Sequence, residues 1–218
     1  MDASLTIVRR PIKHARLRVR EDSSVQLTIP NCFDQALIDS LLQKKAMWIA
    51  RHQQFFRDRK SARSALAPGE ILFFGELFRY IPSPQLRHEV VIDEVTKQIR
   101  SGRDLAQNTE VTRWYRAYAK AFLPPRITEL SAAHNLPYKR LFIRSQRTKW
   151  GTCSTQGNIS LNWRLILAPK HVVDYVILHE LIHTRVMNHS HGFWVLLKAI
   201  CPQCEEAIRW LNSNTPLD

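Results

Sequence analysis

No stretch of the 218-residue chain approaches the roughly 20 apolar residues that cross a bilayer. The basic N-terminus (Arg9, Arg10, Lys13) leads into no uninterrupted apolar segment, so the sequence predicts neither a membrane span nor a secretory signal. Cysteine is scarce: Cys32 and Cys153 are isolated, and Cys201 and Cys204 form a lone C-x-x-C pair. A zinc ribbon needs a second such pair, and a redox pair opens a helix after a strand, whereas Pro202 places this one between two helical stretches. These absences leave a soluble, cytoplasmic protein whose two paired thiols are structural or incidental. Acidic residues are also short, 19 against 32 lysines and arginines, for a net charge of +13. Such a surface attracts polyanions, nucleic acid first, unless the cations only solvate helices.

What is present begins with period-two segments. Leu17–Val19 and Val25–Ile29 alternate apolar and polar residues, and Pro30 closes the second. From Asp34 to Arg59 the period becomes helical, with Leu37, Ile38, Leu41, Leu42, Trp48, Ile49, Phe55 and Phe56 on one buried stripe. A small-residue loop over Ser61–Gly69 then precedes a hairpin, Ile71–Ile81, turning at Gly75-Glu76, and another strand near Leu86–Ile92. The seam is expected at Ser101–Asp104. It separates a β-rich N-terminal region with one helix (1–104) from a catalytic region (105–218), the two expected as parts of one continuous domain. A helix over Glu110–Phe122 should be interrupted by Pro124-Pro125 and resume to Ala133. Strands follow at Leu141–Ile143 and Asn158–Asn162, a helix spans 171–187 with Asn188 as a left-handed stop, and two shorter helices finish the chain.

The helix over 171–187 carries His179-Glu180-Leu181-Ile182-His183. Histidines four apart lie on one helix face and can grip one metal ion. A glutamate directly after the first points to where it can reach an attacking water without ligating. Val176, Ile177, Leu178, Leu181 and Ile182 make the helix apolar, unlike a wet helix with solvated histidines. Candidates for a third ligand rank as His189, then Glu205, then His191. Three protein ligands with an open position suit catalysis rather than structure, and three imidazoles suit Zn2+.

His179-Glu180-Leu181-x-His183 followed by Asn188-His189-Ser190-x-x-Phe193-Trp194 resembles the signature of the YgjP-like metallopeptidases, relatives of the SprT-like and Wss1-like zinc proteases. A second block is similar too: Arg147-x-Lys149-Trp150-Gly151-Thr152-Cys153-Ser154, then Gly157 to Leu165. The resemblance covers residues 14–212 and implies an α+β, zincin-like fold, a mixed sheet packed on the H-E-x-x-H helix. It implies zinc ligands His179, His183 and His189, with Glu180 as general base. It also implies that the strand with Asn158, Ile159 and Ser160, or one beside it, pairs with extended peptide. Arg147, Lys149, Asn188 and His191 are candidates to stabilise the developing oxyanion.

Between Glu129 and Asp174 there is no acidic residue, while Lys139, Arg140, Arg144, Arg147, Lys149, Arg164 and Lys170 are cationic. Nucleic acid is therefore a candidate partner beside the peptide substrate, with Trp150 and Trp163 read as core rather than as stacking groups. Two rival functions stand beside a zinc peptidase. One is a nucleic-acid-binding protein with a structural or vestigial metal site; the other is a metal-dependent hydrolase of non-peptide amides.

Overall fold

In the computed structural model, which describes residues 4–20, 22–64 and 69–214, the chain divides into two compact units, 1–67 and 68–218. No helix among the described residues is long and apolar enough to cross a membrane.

The first unit is a three-stranded sheet, ordered β1 (Leu5–Arg10), β3 (Val25–Pro30), β2 (Arg16–Val19), with one long helix, α1 (Gln35–Ser64). The period-two pattern works as expected: Val25, Leu27 and Ile29 point inward, and Leu27 and Ile29 form a small core with Ile38 of α1. Leu41 and Leu42 pack against it. The expected helical stripe is narrower than its sequence suggests, because Leu37 and Trp48 remain exposed, the latter against His52. The side chains of Phe55 and Phe56 lie outside the described ones. The loop expected from Ser61 begins as helix, which runs to Ser64.

The second unit holds two sheets and four helices among the described residues. A four-stranded sheet is ordered β4 (Glu70–Phe73), β5 (Glu76–Pro82), β7 (Gln98–Ser101), β6 (Val90–Asp93), with β5 and β7 parallel. The β4–β5 hairpin turns at Phe74-Gly75, one residue earlier than expected, since Phe73 pairs with Glu76. Both turn residues have positive φ, 49° and 79°, which matches the right-handed strand twist in a two-residue turn. The seam expected at Ser101–Asp104 lies inside this unit. Ser101 is fully buried and its hydroxyl donates to the Glu89 carbonyl, while the Tyr80 hydroxyl donates to that of Arg103.

α2 (Asn108–Ala133) runs through Pro124-Pro125 without interruption. Each interior proline costs about 3 kcal/mol through a lost hydrogen bond and a clash with the preceding turn. Leu123, Ile127 and Leu130 continue the stripe begun by Trp114, Tyr115 and Ala119, and each large apolar side chain buried returns about 1.5–3 kcal/mol. Tertiary packing therefore overrides the local signal. A second sheet, ordered β8 (Arg140–Arg144), β10 (Asn158–Asn162), β9 (Gly151–Cys153), sends Leu141, Ile143, Ile159 and Leu161 into the same core. α3 (Lys170–Ile182) is buried along most of its length and packs against α2, β9, β10, α4 (His191–Ile200) and α5 (Cys204–Ser213). The sequence thus produces a mixed α+β unit with a mixed sheet laid on the histidine-bearing helix. Cys201 and Cys204 are free, buried thiols of this core, between α4 and α5.

One ionic contact joins α2 to α3. The Arg126 guanidinium grips Asp174 with two bonds of 2.7 Å and Glu129 with a third of 2.7 Å. Replacing Asp174 with alanine should cost about 1–2 kcal/mol, the worth of a partly screened bidentate pair. The measurement is a urea melt: a lower midpoint at unchanged slope is expected, and an unmoved midpoint would rank the pair with surface bridges of no net value.

Candidate metal centre

α3 ends at Ile182, six residues before the expected stop at Asn188, with His183 as its helical C-cap. No glycine and no left-handed residue ends it; Asn188 is not among the positive-φ residues. Instead the chain tightens through local bonds. The Thr184 hydroxyl donates to the Leu181 carbonyl at 2.7 Å, and the amides of Arg185 and Val186 both donate to Ile182. Arg185 also donates to the Asn135 carbonyl at the end of α2, fixing the turn from outside. The early end swings residues 184–190 back over the helix and returns His189 to its face.

There the Nε2 atoms of His179, His183 and His189 form a triangle with sides of 3.2, 3.2 and 3.0 Å. Two nitrogens bound at about 2.0–2.1 Å to one tetrahedral ion are about 3.3 Å apart, so the triangle has the size of one face of a tetrahedral zinc site. The donor chemistry fits as well. His183 Nδ1 lies 2.9 Å from the Val186 carbonyl, the partner that fixes its proton there and leaves Nε2 with a lone pair. Burial pushes His179 down to about 3, helped by the like charges that His183 and His189 would carry, and burial also lowers His183. Neutral imidazoles aiming lone pairs at a common point repel unless a cation sits between them.

The other two candidates for third ligand are elsewhere. Glu205 is on α5, 3.5 Å from the Lys198 ammonium, and His191 opens α4 exposed to solvent; neither belongs to the cluster. A residue that pattern reasoning treated only as part of a motif forms the floor. Phe193, fully buried, has its ring centroid 4.9, 4.7 and 4.7 Å from those of His179, His183 and His189. Its signal in the sequence was the apolar pair Phe193 and Leu197, one turn apart on α4.

Glu180 is buried under β9. A Cβ on Gly151 would come within 2.7 Å of its Cγ and Oε1, so the absent side chain is what lets the strand lie on the carboxylate. Burial pushes Glu180 up to about 7, against the pull of the Lys149 ammonium. Lys149 and Arg147 are exposed on the loop 145–150, which a buried asparagine clamps. Asn162 Nδ2 donates to the carbonyls of Gln146 (2.7 Å) and Lys149 (3.0 Å), and its amide donates to Trp150 (2.8 Å).

The substrate strand is expected at Asn158–Ser160 or beside it, and the sheet order distinguishes the two places. β10, with Asn158, Ile159 and Ser160, is the middle strand of its sheet, parallel to β8 on one side and antiparallel to β9 on the other. Its backbone has no open edge, and Ile159 is wholly buried. The edge beside Glu180 belongs to β9. Bonds from Ser154 to Asn158 and from Asn162 to Trp150 set the parity, so the backbone groups of Gly151 and Cys153 face outward. Trp150 and Trp163 are both packed: Trp150 lies against Trp210 and donates to the Asn214 carbonyl, and Trp163 is buried against Tyr115.

The family model described as YgjP-like, metallopeptidase domain, matches residues 13–214. No curated protein matches. Among solved structures, the metallopeptidase zymogen of Pyrococcus abyssi abylysin is 19% identical, with a TM-score of 0.37, over 42% of this chain and 96% of that one.

The geometry predicts one divalent ion per chain. Metal analysis after dialysis should find it in the parent and in Glu205→Ala, and should find it lost from His189→Ala. Loss from Glu205→Ala alone would transfer the third position to α5.

Proposed function

Because the chain belongs to the YgjP-like metallopeptidase family, we propose that it is a zinc-dependent peptidase in which His179, His183 and His189 hold the ion and Glu180 is the general base. The observation that carries this is the triangle of three Nε2 atoms beside a buried carboxylate on the same helix. A divalent ion at that point supplies Lewis acidity, polarising a carbonyl and making water nucleophilic near neutral pH. The remaining work belongs to the chain. Glu180, its acidity tuned close to neutrality, takes the proton of the attacking water on a carboxylate oxygen and returns it to the leaving amine. Lys149 favours the ionised carboxylate before the first transfer, so that Glu180 is ready to accept the proton, and with Arg147 offers positive charge to the oxyanion.

Peptide binds as an added strand on the open edge of β9. The N–H and C=O groups of Gly151 and Cys153 supply the backbone bonds, which orient the scissile carbonyl with little demand on sequence. Substrate recognition and base positioning then meet at one residue: Gly151 pairs with peptide on one side and makes room for Glu180 on its face.

Glu180→Gln should keep the metal stoichiometry and lower kcat by about 10²-fold or more, as expected for loss of a positioned base. Gly151→Ala should also keep the metal and the fold while kcat/KM drops at least about 10-fold, since its Cβ displaces the carboxylate. The assay is cleavage of an unfolded protein such as casein, with and without chelator. Full activity in the glutamine variant would remove Glu180 from its role.

A further inference from the structure

The acid-free stretch between Glu129 and Asp174 is not spread evenly over the surface. β8 is the outer strand of its sheet, and its exposure alternates. Leu141 and Ile143 turn into the core beside Ile159 and Leu161, on the face that meets α3. Arg140, Phe142 and Arg144 take the opposite face and are exposed. Phe142, at 37% exposure, is a large aromatic ring left on solvent, and the Arg144 guanidinium lies 5.0 Å from its centroid. The register sets Asn158 beside Arg140 and Ser160 beside Phe142, so the neighbouring strand adds an amide and a hydroxyl to the same face. Lys139 stands exposed just before the strand. Among the described residues, no carboxylate pairs with Lys139, Arg140 or Arg144.

We propose that this face of the sheet, Arg140, Phe142 and Arg144 with Lys139, Asn158 and Ser160, is a docking surface for single-stranded nucleic acid. Two arginines on one face, with the exposed Lys139 at the start of the strand and no carboxylate paired to any of the three, are complementary to a phosphate chain. An exposed aromatic between two arginines adds what phosphates alone do not need, a flat apolar surface on which an unpaired base stacks, extended by the guanidinium plane. An acidic peptide or an anionic membrane would use the charges but leave Phe142 without a partner. A duplex keeps its base faces stacked internally and cannot use it either. Because the face points away from α3, a strand bound there leaves the histidine cluster and the outer edge of β9 open.

The test is fluorescence anisotropy of the full-length, metal-loaded chain with a labelled single-stranded oligonucleotide of about 15 nucleotides. Saturable binding is expected, weakening with salt at a log–log slope of about −2, or about −0.7 for each of three phosphate contacts. Arg140→Gln with Arg144→Gln should weaken binding at least about 10-fold and flatten that slope by about 1.4. Phe142→Ala should weaken it about 5-fold or more at unchanged slope, and Phe142→Tyr should restore it. Lys44→Gln with Lys45→Gln, on the exposed side of α1, is the charge-matched control and should bind as the parent does. The proposal is overturned if the parent does not bind, if the β8 variants bind no worse than the control, or if Phe142→Ala binds as tightly as Phe142→Tyr. It is equally overturned if duplex, polyglutamate or anionic vesicles compete as well as the single strand.

Discussion

Three imidazole nitrogens within 3.2 Å of one another are an electrostatic liability, and most of the second unit is arranged to enforce it. Two of them come cheaply, since residues four apart on α3 already share a face. The third needs the chain to reverse within a few residues. That reversal depends on the helix stopping early through Thr184, on the Val186 carbonyl receiving His183, and on Arg185 reaching the end of α2. Phe193 then closes the apolar side of all three rings. A cluster so held repels protons and welcomes a multivalent cation, which is the physical link between the fold and its chemistry.

The same constraint explains the loop that precedes β9. Glu180 follows His179 and lies against the sheet, where any side chain on the facing strand would collide with it. Gly151 removes that collision, and Asn162 holds the incoming loop by its carbonyls so that the strand arrives at the right height. Asn162 is a polar residue with no exposure, and each of its side-chain groups is used: Nδ2 on the loop and Oδ1 on the amide of Arg164. The histidine triangle, the placement of Glu180 and the position of the strand are consequences of one close packing.

Much of this was legible in the residues. The period-two segments of the first unit, the apolar histidine helix and the hairpin near Gly75 follow from local alternation and turn chemistry. The mixed α+β, zincin-like architecture of the YgjP-like family follows from the two motif blocks. Illegible parts share a cause: they are decided by partners distant in sequence. Pro124-Pro125 reads as a break until the stripe on either side is seen to be buried continuously. Asn158–Ser160 alternates as an edge strand would, yet pairing on both sides is a property of β8 and β9. Asn188 has the chemistry of a left-handed stop, but a hydroxyl four residues earlier ends the helix first. The close approach at Gly151 has no local signature, because a glycine before a strand looks the same whether or not a carboxylate lies beneath it.

β9 is only three residues long, and two of them turn their backbone groups outward. If substrate adds to that edge as proposed, it is held by few bonds, and only where it is already extended and free of its own pairing. Discrimination would then rest on the state of the target rather than on its letters: compact proteins would be passed over, and loosened termini, stalled or damaged chains would be taken. Selection of that kind would make the short strand a sensor of foldedness, with the reach of the centre limited by how much of a target has come undone.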